Sequence, residues 1–198
     1  MTCTFSDFEF DKNGWCKQAK LIHSPNFDSR PDASRVDLLV VHSISLPPGH
    51  FGGPHIIELF TNRLDFSAHP YFNQLRGMKV SAHFLITRTG ELVQFVSTHN
   101  RAWHAGTSTF GGRERCNDFS IGVELEGTDH SAFTEVQYAV LAGLSRALLE
   151  QHPLTAVVGH EHIAPVRKTD PGPLFDWLQY RSLLSMHAPD LAKTLRFP

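Results

Sequence analysis

Apolar and polar positions change period along this chain, and the changes divide it into elements. Asp37-Leu38-Leu39-Val40-Val41-His42 is an unbroken apolar run rich in β-branched residues, which predicts a strand buried on both faces with His42 at its end. Ala82 to Thr87 and Glu91 to Val96 flank Arg88-Thr89-Gly90 and predict a hairpin. Phe119 to Glu126 alternates: Ile121, Val123 and Leu125 take one face, Gly122, Glu124 and Glu126 the other, so two carboxylates project the same way. Thr134 with Gln137 forms a capping box, and Val136, Val140, Leu144 and Leu148 mark an amphipathic helix ending near His152-Pro153. A short buried strand, Ala156-Val157-Val158-Gly159, then delivers His160, and Phe175 to Ser185 predicts a last helix.

The intervals between these elements are less regular. Residues 1 to 35 are polar, with turn signals at Asn13-Gly14, Ser24-Pro25 and Arg30-Pro31, and are expected to wrap the domain without entering its core. Ser45 to Val80 is rich in proline and glycine around one short helix at His55 to Thr61. Such a long connection predicts a lid or substrate wall. A second irregular stretch runs from Arg101 to Asn117, and the tail after His187 carries no signal. No internal repeat or low-complexity segment interrupts the chain, so one domain is expected over residues 1 to 198.

Composition narrows the function classes. A chain of 198 residues and 22.2 kDa is long enough to bury about 70% of its unfolded surface. Hydrophobic residues at 41%, charged residues at 19% and a formal charge of -2 describe an ordinary globular protein, with no electrostatic case for nucleic acid or a membrane surface. The N-terminus lacks a basic region followed by an apolar core, and no run approaches the roughly 18 apolar residues of a membrane span, which is read here as cytoplasmic. Cys3, Cys16 and Cys116 suit neither a disulfide framework nor a metal knot and are expected to be free thiols. Histidine is over-used, with 13 copies, but His23, His50, His99, His130 and His187 are read as surface or hydrogen-bonded residues.

The chemistry concentrates in Gly159 to Pro173, where His160, Lys168 and Asp170 fall within one segment whose prolines and glycines from Pro165 onward oppose regular structure. Imidazole nitrogen and carboxylate oxygen are both good zinc donors, so His160 and Asp170 are candidate ligands, and His42 is the expected third, leaving a fourth position open for catalysis. His162 is a rival donor, because His-x-His on an extended segment faces one way. The competing interpretation is that each histidine only caps its strand. Glu124 or Glu126 could act as general base, and strand periodicity does not choose between them; a solvated acidic face is the simpler alternative. Lys168 could stabilise an oxyanion, and Trp103-His104 could stack on a sugar ring. A cysteine hydrolase built on Cys116 lacks any pattern for its base.

The same residues carry a family resemblance. The stretches Val40 to Gly49, Arg101-Ala102-Trp103-His104-Ala105-Gly106, Arg113 to Gly127 and Gly159 to Pro173 resemble the AmpD-type family of 1,6-anhydro-N-acetylmuramyl-L-alanine amidases, over about Gly14 to Tyr180. The resemblance implies an α/β fold with a mixed central β-sheet flanked by helices, of the zinc amidase and peptidoglycan-recognition type, with residues 1 to 13 and 187 to 198 peripheral. It implies Zn2+ held by His42, His160 and Asp170, Glu124 as catalytic acid/base, Lys168 supporting the transition state, and Trp103 and Arg115 in substrate binding. The implied reaction is hydrolysis of the lactyl-L-alanine amide of anhydromuropeptides in cytoplasmic peptidoglycan recycling, by a monomer. A non-catalytic muropeptide-sensing module of the same fold is the alternative; members that only bind commonly lack part of the zinc triad, which is complete here. Ser43 and His162 stand where the family usually has Asn, and Lys79 where Arg is common, a change that removes bidentate carboxylate recognition.

Overall fold

The two long apolar strands of the sequence become neighbours at the middle of one sheet. The computed structural model describes residues 7–31 and 34–198. In chain order its elements are β1 (Lys20–Leu21), β2 (Phe27–Ser29), β3 (Leu38–Ile44), α1 (His55–Phe60), β4 (Phe84–Ile86), β5 (Leu92–Gln94) and β6 (Asn100–Ala102). There follow β7 (Thr109–Phe110), β8 (Arg113–Glu114), β9 (Ser120–Glu126), α2 (Glu135–Gln151), β10 (Ala156–Gly159), α3 (His160–Ile163), α4 (Trp177–His187) and α5 (Pro189–Ala192). The main sheet has six strands in the order β1-β5-β4-β9-β3-β10, mixed because β4 and β5 are antiparallel while β4, β9, β3 and β10 run parallel.

Burial explains why β3 reads as one apolar run. Leu39 and Val41 enter the core shared with Leu141, Leu144 and Leu148 of α2 and Tyr180 and Leu184 of α4. Leu38 and Val40 face the other way, against Cys116, Phe119, Val158 and Ile163. A parallel strand covered on both faces has no position for a polar side chain until it leaves the core. Helix α2 starts on the expected capping box: Thr134 Oγ1 accepts from the Gln137 amide at 3.3 Å, and Gln137 Oε1 accepts from the Thr134 amide at 3.0 Å. Its buried face centres on Tyr138, Leu141, Leu144 and Leu148, while Val136 and Val140 lie at its edge, half-buried. Helix α4, expected from Phe175, begins at Trp177 because the Asp176 side chain caps it by accepting from the Gln179 amide, and the short α5 follows it.

Both chain ends correct the sequence reading. Phe8 and Cys16 are buried in the main core, and β1 adds an edge strand to the sheet, so residues 7 to 31 do more than wrap it. Ala188, Ala192 and Leu195 are also core residues, and Val157 of β10 donates its amide to Arg196 O at 2.9 Å. The tail is thus fastened to the edge of the sheet. Cys3 lies outside the described residues; Cys16 and Cys116 are buried free thiols. Residues 45 to 80 are a packed wall whose Leu46, Ile56, Leu59, Phe60, Phe72 and Leu75 share an apolar cluster with Leu85, Val93 and Phe95 of the hairpin.

Candidate active site

β3 and β10 pair in parallel with Gly159 opposite Val41, so His160, the first residue past β10, comes to the same rim as His42, which β3 still holds against β9. The loop after α3 then folds back. The Glu161 amide donates to Asp170 O at 2.9 Å, and the Pro171 ring lies so close over Gly159 that a Cβ there would sit 2.6 Å from Pro171 Cδ. Only glycine lets the loop return Asp170 to the rim. The result is a triangle of donor atoms: His42 Nδ1 and His160 Nδ1 are 3.0 Å apart, and Asp170 Oδ2 is 3.0 Å from the first and 3.1 Å from the second.

That triangle fits a metal by its chemistry. His160 Nε2 is 3.1 Å from Ala105 O, and a carbonyl can only accept, so Nε2 carries the proton and Nδ1 presents a lone pair. Lone pairs and a carboxylate oxygen crowded at these distances repel one another unless a proton or a cation lies among them. Tetrahedral zinc with bonds of about 2.0 to 2.2 Å holds its donors about 3.3 to 3.6 Å apart, a small expansion of what is seen. Among the described residues this is one group of three that could hold a metal ion. Burial pushes His42 down to about 4, opposed by its hydrogen bond to Asp170, so the imidazole is neutral and available. Asp170 would be raised by burial, but the His160 and His42 rings against it hold it well below the usual carboxylate range.

Glu124 sits opposite His42 on the adjacent strand β9. Its Oε2 is buried with no hydrogen-bond partner among the described residues, and burial followed by the charge of Asp170 pushes its carboxyl well above the ordinary range, with Lys168 opposing. Glu126 lies two residues on and is occupied: Oε1 accepts from the Gly52 amide at 2.7 Å and Oε2 from the Arg88 amide at 3.0 Å. It ties the long wall and the β4–β5 hairpin to β9. The structure therefore separates two carboxylates that periodicity left equivalent.

A cleft of about 350 Å³ opens over this group, lined by His42, Glu124, His160, Asp170, Lys168, Ser43 and Trp103, with Leu59, Tyr71 and Met78 from the wall. Trp103 is held by its indole N–H donating to Asp28 at 3.3 Å and by its amide donating to Ser81 Oγ at 3.0 Å. Arg115 is elsewhere. It lines a larger, separate hollow of about 770 Å³ beside Thr107, Ser108 and Arg167, is mostly exposed, and reaches Asp118 at 3.3 Å. Size does not make that hollow the reaction site, because none of the three donors nor Glu124 lines it. Lys79 borders a small apolar recess of about 210 Å³ with Leu59, Phe66 and Met78.

His162 is not part of the group. The segment His160–Ile163 is helical and not extended, so His162 turns away from His160; its Nδ1 accepts from the Gly159 amide at 3.0 Å and its ring stacks edge-on with Trp177. His104, weighed in the sequence only as a sugar-stacking residue, is instead buried behind His42. Its Nδ1 is 2.9 Å from His42 Nε2 and its Nε2 is 3.1 Å from Ser120 Oγ. Arg30, from the stretch expected to stay outside, is half-buried and donates to the carbonyls of Thr98, Asn117, Asp118 and Ser120. No local pattern marks either residue, because each is defined by what surrounds it.

A family model described as N-acetylmuramoyl-L-alanine amidase matches residues 32–173. The chain is 56% identical over 174 residues to the 1,6-anhydro-N-acetylmuramyl-L-alanine amidase AmpD of Citrobacter freundii, covering 87% of this chain and 93% of the relative. A crystal structure of a selenomethionine AmpD derivative superposes with a TM-score of 0.86 at 55% identity, over 88% of this chain and 98% of that one. The amidase AmiD of E. coli, solved with anhydro-N-acetylmuramic acid-L-Ala-D-gamma-Glu-L-Lys, superposes with a TM-score of 0.55 at 26% identity, over 89% of this chain and 65% of that one.

Proposed function

This chain belongs to the N-acetylmuramoyl-L-alanine amidase family, and from that premise we propose that it hydrolyses the amide between the lactyl group of 1,6-anhydromuramic acid and the L-alanine of a stem peptide. In this reading His42, His160 and Asp170 hold zinc, Glu124 is the acid/base residue, and Lys168 and Trp103 act on the substrate. The observation that carries it is a buried, unpartnered carboxylate on the strand next to a convergent His-His-Asp triangle, at the floor of one cleft.

Zinc bound there would supply Lewis acidity, lowering the pKa of water and polarising a carbonyl. Glu124 takes the proton of the attacking water at its vacant Oε2. Burial raises that carboxyl, so it holds a proton more readily than an exposed glutamate, and the proton it takes can pass to the departing alanine nitrogen. Lys168 lines the same cleft and places positive charge where the tetrahedral oxyanion develops. The indole of Trp103, pinned through Asp28, offers a rigid face to the sugar ring. Arg115 reaches a stem-peptide carboxylate only if the peptide extends from the cleft toward the outer hollow that Arg115 lines.

The reading extends to a monomeric, cytoplasmic enzyme of peptidoglycan recycling whose single domain takes in residues 1 to 198, a setting supported by the sequence resemblance. No helix among the described residues is long and apolar enough to cross a membrane. The test is mass spectrometry of an anhydromuropeptide after incubation with the protein, with and without a chelator. Release of free peptide that stops on chelation is expected. Intact muropeptide retained on the protein would instead identify a binding module.

A further inference from the structure

Two residues, His104 and Asn117, connect from behind the cleft to the imidazoles of His42 and His160. Asn117 Oδ1 accepts from two successive backbone amides, His104 at 3.1 Å and Ala105 at 2.8 Å. This holds a pair of groups that do different things. Ala105 O faces His160 Nε2 at 3.1 Å and also accepts from Arg167 at 2.9 Å, while the His104 ring stands 2.9 Å from His42 Nε2. The ring has a made place: a Cβ on Gly122 would fall 2.4 Å from His104 Cγ, so the strand must carry glycine where the imidazole lies across it.

We propose that His104 and Asn117 are positioning residues that present both imidazoles to the cleft by Nδ1, bare on His160 and freed of its proton on His42 when a cation binds. The inference rests on the reading of His42 and His160 as metal ligands and adds what sets their tautomers. For His160 the setting is direct, because Ala105 O demands a proton on Nε2. For His42 the line His42–His104–Ser120 can carry its protons in either sense. When a cation takes His42 Nδ1, the Nε2 proton must go to an acceptor, and His104 Nδ1 is the one present. His104 then donates from Nε2 to Ser120 Oγ. Asn117 keeps both acceptors in register from one side-chain oxygen, and Arg30 holds the backbone of Asn117 through its carbonyl at 3.0 Å. Partners behind a ligand that fix its tautomer and direction commonly account for 10- to 100-fold in metal affinity.

The test uses nitrogen NMR of the imidazole rings in the full chain, metal-free and zinc-loaded, with zinc titration of Asn117→Ala and Asn117→Asp. In the metal-free wild type His160 should be protonated at Nε2 only. In the zinc form a scalar coupling should appear across the His42 Nε2–H to His104 Nδ1 bond. Asn117→Ala should bind zinc about 10- to 100-fold more weakly and show His160 partly protonated at Nδ1, while Asn117→Asp, which keeps an accepting oxygen, should restore both readings. A wild-type His160 carrying its proton on Nδ1, a missing coupling to His104 in the zinc form, or unchanged affinity and ring shifts in Asn117→Ala would each overturn the proposal. A wild type that takes up no zinc would reject the metal site itself, and the metal-free His160 tautomer would still decide the role of Ala105 and Asn117.

Discussion

Glu124 and Glu126 leave one face of the same strand two residues apart, yet only Glu126 has its carboxylate oxygens filled by backbone amides, from Gly52 and Arg88. Glu124→Gln is therefore expected to keep its fold and its zinc while losing on the order of 10² to 10⁴ in turnover. Glu126→Ala strands two amides and should cost about 1 to 3 kcal/mol of stability with most activity retained. Turnover and melting of the two variants check the division; equal loss of turnover in both folded proteins would undo it.

Asp170→Ala removes one corner of the donor triangle and leaves His42 and His160 without the carboxylate that both face at about 3 Å. Zinc content by elemental analysis should fall toward zero. Calorimetry should show the wild type gaining about 2.7 kcal/mol at zinc one hundred times above its Kd, and the variant gaining almost nothing. Full occupancy of the variant would remove Asp170 from the ligand set.

Lys168→Met takes positive charge from the wall of the cleft without touching the three donors. Turnover should drop by about 10² to 10³, with KM changed far less, as for the loss of one oxyanion-stabilising group. A rise in KM at constant kcat would make Lys168 a ground-state binding residue instead.

His152 closes α2 with its Nε2 buried and unpartnered, and burial, then Arg30 and His99, push it down to about 4. The unfolded chain holds that proton near the ordinary value of about 6.5, so in the window between the two the unfolded state binds more protons and stability must rise with pH. The contribution is complete above about 6.5 and disappears as pH falls through 4. His152→Leu should flatten the denaturation midpoint across pH 4 to 6.5 relative to wild type; an unchanged slope would mean the imidazole protonates freely in the fold.

Gly122→Ala places a methyl 2.4 Å from the His104 ring, well inside contact. Overpacking of this kind costs about 1 to 3 kcal/mol, and the ring that backs His42 must move. Melting temperature and zinc affinity should fall together. A variant with wild-type affinity would show that the imidazole has room to spare.

The elements were legible in the sequence because the forces that make them are local: alternation places Glu124 and Glu126 on one face, an unbroken apolar run announces a doubly covered strand, and Thr134 with Gln137 begins a helix. Their ends pointed to His42 and His160, and the stiff loop after His160 pointed to Asp170. Tertiary structure decided the rest, since burial and partnership belong to neighbours remote in the chain. It occupied Glu126 and left Glu124 vacant, turned His162 onto Gly159 by winding His160–Ile163 into helix, sank Phe8 and Leu195 into the core, and moved His104 from an expected sugar face to the back of His42. A carboxylate or an imidazole has the same letter wherever it lies; its proton, and so its chemistry, depends on which other groups exclude water from it.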